Sequence, residues 1–84
     1  MITGVQIRAA RAILSWTAAE VADRAGLRRE TVQRLEKHED VPPSRSQSLK
    51  DLKRVFEEAG IEFIEGDDHK GPGVRLARPL VGPV

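Results

Sequence analysis

Residues 17–36 read TAAEVADRAGLRRETVQRLE, and this stretch predicts two short helices joined by a tight turn. Thr17 and Glu20 match a capping box, in which the hydroxyl accepts a backbone N–H and the carboxylate reaches back to the cap residue. Gly26 stands where the first helix would end, because a residue without Cβ enters the left-handed region at little cost. Apolar residues recur at helical spacing on both sides of this glycine: Val21, Ala22, Ala25, Leu27, Val32 and Leu35. The pattern predicts a rigid two-helix corner.

The second helix of this corner leaves its polar residues on the side away from the apolar stripe. A short helix that presents arginine and glutamine suits the major groove of DNA, where Arg pairs with guanine and Gln with adenine. Glu30 either accepts from cytosine N4 or orients Arg34 through an i,i+4 pair. The alternative for the whole set is a solvated helix face with ordinary salt bridges. The predicted base-reading residues are Arg29, Glu30, Gln33 and Arg34.

Further helices are predicted on both sides of the corner. Thr3 and Gln6 form a second capping-box match, which opens a helix over residues 4–14 with Arg8 and Arg11 on its outer side. The helix over 29–36 has Arg28 at its cap, where Ser or Thr would be preferred. A polar loop follows, with Val41 as an inward anchor. A fourth helix runs to Ala59, its apolar positions being Leu49, Leu52, Val55, Phe56 and Ala59.

After Gly60 the hydrophobic period changes from helical to alternating. Residues 61–64 and 74–77 predict two strands, and the turn-forming run GDDHKGPG lies between them. An isolated two-stranded hairpin is marginal in water, so this one must pack on the helices, pair with a second copy, or both. The apolar residues available for dimerisation are Ile61, Phe63, Val74 and Leu76. Residues 79–84, PLVGPV, predict a flexible tail.

Composition limits the classes of function. The chain has 84 residues, no cysteine and a net charge of +1, so it predicts one small domain without a disulfide framework. Residues 1–56 carry 11 Lys and Arg against 7 Asp and Glu, whereas residues 57–84 carry 3 against 6, which assigns a nucleic-acid surface to the first part. No apolar run is long enough for a membrane span and no signal-peptide pattern is present, so we expect a cytoplasmic protein.

Catalytic and metal chemistry have no candidate residues in this sequence. The two histidines, His38 and His69, lie far apart and have no cysteine partners, so we expect no metal. No Ser/His/Asp set, phosphate-binding glycine loop or catalytic carboxylate pair stands out, so we expect neither an enzyme nor a cofactor.

Residues 5–59 resemble the Cro/CI-type helix-turn-helix family of bacterial and phage regulators, the XRE family. The resemblance rests on the ordered apolar set of the corner, closed by Glu36, with Ile7 and Leu14 upstream and Leu49 and Leu52 downstream. It implies a mainly α fold, in which a four- to five-helix lambda-repressor-like DNA-binding domain is followed by a C-terminal β-hairpin. The implied organisation is a helix-turn-helix domain over 1–60, a hairpin over 61–78 that serves as a dimerisation element, and the tail over 79–84.

The function implied by the resemblance is a transcriptional regulator, most simply a repressor, that binds a palindromic operator in double-stranded DNA as a homodimer. Two positions depart from the family pattern: Ala18 replaces a glutamine that commonly contacts phosphate, and Arg28 replaces the Ser or Thr cap. A protein-interaction module of antitoxin or anti-activator type, with weak DNA binding, is the alternative. An RNA-binding role is less favoured, because the sequence lacks an aromatic stacking platform. The candidate phosphate-binding residues are Thr17, Arg28, Thr31, Lys37, Ser44, Arg45 and Ser46.

Overall fold

The computed structural model describes residues 2–42 and 46–80, and within them four helices precede an antiparallel hairpin. The elements are α1 (Gly4–Leu14), α2 (Ala18–Ala25), α3 (Arg29–Glu36), α4 (Ser46–Glu58), β1 (Ile61–Ile64) and β2 (Gly73–Leu76). The predicted mainly helical fold with a C-terminal hairpin is confirmed, although β2 begins and ends one residue before the predicted strand. None of the helices in these ranges is long and apolar enough to cross a membrane.

Local capping defines the first two helices as the sequence predicts. The Thr3 hydroxyl accepts the Gln6 N–H at 3.1 Å, and Gln6 Oε1 accepts the Thr3 N–H at 2.8 Å. Thr17 and Glu20 repeat this capping box at the start of α2. Gly26 ends α2 in the left-handed region at φ 69°. Since these contacts join residues three apart, the boundaries of both helices follow from short stretches of sequence.

The core is a single cluster in which side chains from all four helices meet the first strand. Its largest fully buried members are Ile7, Val21, Val32, Leu35, Leu52, Phe56 and Ile61. Phe56 lies at its centre: its ring stacks on Trp16 and meets Phe63 edge-on, both at a centroid distance of 6.0 Å. These pairs connect the beginning of α2, α4 and the hairpin through one aromatic side chain.

The hairpin packs on the helices with one face. Ile61 pairs with Leu76 and Phe63 pairs with Val74, and because residues directly opposite share a face, these four side chains lie together. Gln6 fastens the end of the hairpin next to its turn: Nε2 donates to the Ile64 carbonyl at 3.0 Å and to the Gly73 carbonyl at 2.9 Å. The hairpin is therefore an integral part of the fold.

The loop after α3 differs from its prediction. Val41 is 42% exposed, whereas Pro42 is buried. The predicted inward anchor at Val41 was wrong, because periodicity cannot assign facing in a segment without regular structure.

Candidate nucleic-acid interface

The two sides of α3 differ sharply in burial. Val32, Leu35 and Glu36 are buried against the other helices. The polar residues of the helix and its flanks are exposed: Arg28, Arg29, Glu30, Gln33, Arg34 and Lys37. The turn between α2 and α3 is tight, because the Leu27 N–H donates to the Ala22 carbonyl at 2.9 Å. The structure thus brings all four predicted base-reading residues to one solvent-facing helix surface.

An ion pair between α1 and α3 sets the position of this surface. Arg11 Nε and Nη2 donate to the two Glu36 carboxylate oxygens at 2.8 and 2.9 Å, and Nη1 donates to the Trp16 carbonyl at 3.2 Å. These hydrogen bonds to Glu36, with the attraction of the opposite charge, raise the pKa of Arg11 above its ordinary value, against the opposing effect of burial. A bidentate pair restricts orientation as well as distance, so it fixes the C-terminal end of α3 on α1.

Arg11 is also a correction to the sequence prediction, which assigned it to the outer side of α1. The signal for an inward position was Glu36, which continues the apolar stripe of Val32 and Leu35 at helical spacing. An acidic residue on a buried face requires a cationic partner, and Arg11 follows Ile7 by one turn on the inner face of α1.

Gly4 makes a second contact between α1 and the end of α3 that sequence patterns did not reveal. A Cβ at this position would lie 1.9 Å from the His38 carbonyl oxygen and 2.5 Å from that of Leu35. The Gly4 N–H donates to the Asp40 carbonyl at 3.1 Å. The absence of a side chain thus lets the first turn of α1 approach the C-terminal end of α3, and this contact orients α3 together with the Arg11–Glu36 pair.

Arg29 and Glu30 form a loose pair on the polar face of α3. The Arg29 guanidinium lies 4.0 Å from the Glu30 carboxylate, and both side chains are mostly exposed. An exposed pair at this distance holds neither side chain firmly. Glu30 therefore lies in a position to balance the charge of Arg29 or to meet a base edge.

The candidate phosphate-binding residues are less uniform. Arg28 and Lys37 are exposed and Thr31 is half-buried. The Thr17 hydroxyl accepts the Glu20 N–H and donates to Glu20 Oε1 at 3.3 Å, so its proton is used inside the capping box beside a carboxylate. That neighbouring negative charge disfavours a phosphate at Thr17. Ser44, Arg45 and the side chain of Ser46 lie outside the described residues, as do residues 81–84 of the predicted tail.

The two positions at which the sequence departs from the pattern of the family it resembles lie at the start of the two corner helices. Ala18 is buried against the core, so the first residue of α2 presents no polar side chain to a phosphate. Arg28 makes no side-chain cap hydrogen bond at the start of α3. Its side chain is exposed, and the N-terminal N–H groups of α3 carry the partial positive charge of a helix N-terminus.

The predicted dimerisation residues are mostly engaged within the chain. Ile61 is 2% exposed, and Phe63 and Val74 pack against the same core. Leu76 is 39% exposed. The sequence predicts that this face packs on the helices, pairs with a second copy, or both, and the helices already cover most of it. Dimerisation stays a prediction, with Leu76 as the member of the set that presents its side chain to solvent.

In comparisons with known proteins, no family model matches the chain and no curated protein is significantly similar to it.

Proposed function

We propose that the chain is a sequence-specific DNA-binding transcriptional regulator of Cro/CI type, and that α3 is its reading helix. The observation that carries this proposal is the division of α3 into a buried face, tied to α1 and α2, and an exposed face of arginines and glutamine. A helix must be both rigidly held and polar on its outer side to compare base pairs in the major groove.

The lambda-repressor-like arrangement is part of the proposal. Arg29 and Arg34 supply bidentate donors suited to guanine, and Gln33 supplies the amide suited to adenine. Arg28 and Lys37, at the two ends of α3, are suited to the phosphates that flank the groove. Action on chromosomal DNA implies a cytoplasmic location, and repression follows most simply from occupying a promoter.

We propose that the regulator acts as a homodimer on a palindrome, with two copies of α3 in successive major grooves about 34 Å apart. The exposed side chain of Leu76 extends the apolar face of the hairpin to solvent. A small interaction surface of this kind suits a dimer that is completed on DNA. The two half-sites then add their contacts, which raises specificity over a single copy.

The test is selection of bound duplexes from a randomised DNA library with the full chain, followed by measurement of affinity for the enriched sequence. We expect an inverted repeat with half-sites about 10 base pairs apart. Arg29→Ala and Arg34→Ala should each weaken binding to that sequence by about 1–3 kcal/mol and relax the preference at one base pair.

The matched control is Lys70→Ala, which removes one positive charge from the hairpin turn. It should leave the sequence preference unchanged. Failure to enrich any sequence, together with equal affinities of the wild type and the two α3 variants for random duplexes, would contradict the proposed function. A single, unrepeated site would contradict the dimer alone, as would a monomer in sedimentation on its operator.

The alternative is a protein-interaction module of antitoxin or anti-activator type. It is favoured by apolar side chains that α1 leaves in solvent, Val5 and Ile13, and by Ala18 at the start of α2. On this alternative, Val5→Ser and Ile13→Ser would abolish capture of a partner, whereas Arg29→Ala would not. The α3 geometry favours DNA, because a protein contact needs no such uniform polar face.

A further inference from the structure

An open groove of about 430 Å³ lies between α1 and the C-terminal half of α3. Its lining residues are Arg8, Gln33, Glu36 and Lys37. The sequence assigned Gln33 to base reading and Lys37 to phosphate binding, but it assigned no role to Arg8. The groove therefore continues the candidate DNA-binding surface from α3 onto α1.

The groove carries uncompensated positive charge. Glu36 is the one acidic residue among its lining side chains, and both of its carboxylate oxygens are bound by Arg11. Arg8 and Lys37 are exposed, and within residues 2–42 and 46–80 neither side chain forms a hydrogen bond or an ion pair. Two cations therefore face a groove whose only carboxylate is already neutralised.

The placement of Arg8 is fixed by the same contacts that orient α3. Arg8 precedes Arg11 by three residues, so the two side chains are neighbours along the surface of α1. Because Arg11 is held on Glu36, the turn of α1 that carries Arg8 lies next to the end of α3, where Lys37 is the C-terminal cap residue. Only the side chains of Arg8 and Lys37 need to become ordered when an anion binds.

We propose that Arg8 and Lys37 together bind one backbone phosphate of the DNA strand that borders the groove read by α3. This inference rests on the proposed function and extends its surface to α1. A guanidinium and an ammonium are the usual protein partners of phosphate. Gln33 lines the same groove, so the proposed phosphate contact adjoins a proposed base-reading residue. The contact positions the reading helix without distinguishing sequences.

The experiment measures the salt dependence of DNA binding by the full chain. The probe is a fluorescein-labelled 24-base-pair duplex of mixed sequence, titrated by anisotropy at several KCl concentrations. Arg8→Ala removes one of the two cations on this phosphate and should reduce the magnitude of the slope of log K against log salt by up to about 0.9 for each subunit bound, which is the value for one complete phosphate contact. Arg8→Lys should restore the slope, because a phosphate accepts a point charge as well as a guanidinium.

Lys70→Ala removes the same charge from the hairpin turn and should leave the slope at its wild-type value. Thermal unfolding of Arg8→Ala should match the wild type, since the side chain is exposed and makes no hydrogen bond or ion pair within the described residues. On an operator obtained by selection, Arg8→Ala should weaken all sequence variants by the same factor, whereas Arg29→Ala changes their ranking.

Each result of this experiment decides the inference, and an equal reduction of the slope in Arg8→Ala and Lys70→Ala would overturn it. A reduced slope for Arg8→Ala, absent from Lys70→Ala, supports it. An unchanged slope for Arg8→Ala overturns it and leaves the proposed function standing, provided that Arg29→Ala still weakens binding. Absence of any binding of the wild type to duplex DNA at low salt overturns both.

Discussion

The helix-turn-helix corner and the C-terminal hairpin are held in different ways. In the corner, α2 and α3 are joined by a turn at Gly26, and the capping contacts of α2 span three residues. The hairpin depends on contacts distant in sequence: Gln6 binds the carbonyls of Ile64 and Gly73, 58 and 67 residues away. The cap and the turn of the corner are thus locally encoded, whereas the hairpin is attached by contacts of the completed domain.

One residue belongs to both regions. Phe56 contacts Trp16 on the corner side and Phe63 on the hairpin side. The carbonyls that Gln6 satisfies, in contrast, belong to the hairpin alone. Substitutions at these places can therefore disrupt both regions or the hairpin only.

The largest effect is expected from Phe56→Ala, which should lower the free energy of unfolding by about 3–5 kcal/mol, because the ring is fully buried and leaves a cavity. That loss is a large part of the total stability of about 4–13 kcal/mol expected for a chain of this length. Urea unfolding followed by circular dichroism and by the fluorescence of Trp16, the only tryptophan, measures it.

The matched variant is Phe63→Ala, the same substitution at a half-buried site of the hairpin. It should lower the free energy of unfolding by about half as much or less, because less apolar area is lost. The environment of Trp16 should stay unchanged. Equal losses for both variants would show that the corner and the hairpin do not differ in their dependence on this aromatic contact.

Gln6→Glu tests the hairpin attachment directly. A carboxylate would face two carbonyl oxygens in a buried site, so the free energy of unfolding should fall by about 2–3 kcal/mol at neutral pH. Burial raises the pKa of the new carboxyl above the ordinary value of about 4.3. The penalty is therefore complete at high pH and decreases as the pH falls through the raised pKa, since the protonated acid donates one hydrogen bond.

Amide hydrogen exchange of Gln6→Glu should show the loss concentrated in residues 61–76, with α2 and α3 still protected. The matched control, Gln33→Glu, makes the same change on the exposed face of α3 and should stay within about 0.5 kcal/mol of the wild type. Equal loss of protection in α3 and the hairpin would contradict the separation of the two regions.

The smallest effect concerns the hairpin turn, the one locally encoded part of that region. The pKa of Asp67 lies below its ordinary value of 3.8, because Oδ1 accepts the backbone N–H groups of His69 and Lys70 at 2.7 and 2.8 Å. A lowered pKa in the folded state contributes stability above the unfolded value, and this contribution disappears as the pH falls through the folded value.

Carboxyl NMR titration of Asp67, in the native chain and in urea, measures this shift. We expect the lower midpoint in the native chain and only a slight change in unfolding, since the side chain is exposed. Identical midpoints in the two states would show that the turn does not hold the carboxylate.

The candidate site was predictable to the extent that it depends on helical periodicity. The helical spacing of apolar and polar residues correctly assigned the outer face of α3, because a helix turns by a fixed angle per residue. The contacts by which Gly4 and Arg11 position α3 were not predicted, since each residue acts through a partner outside its own helix. Periodicity says which residues are buried, but it does not say which group a buried glycine or an arginine at the boundary will meet.

The sequence by itself determined the helices, the corner at Gly26, the hairpin and the polar face of α3, because caps, turns and hydrophobic spacing act over a few residues. Tertiary structure alone decided how these elements were placed: that Arg11 binds Glu36, that Gln6 attaches the hairpin, and that Arg8 and Lys37 line one groove. Such contacts form only when segments distant along the chain have packed, since hydrogen bonds and charge pairs depend on distances that burial of the shared core imposes.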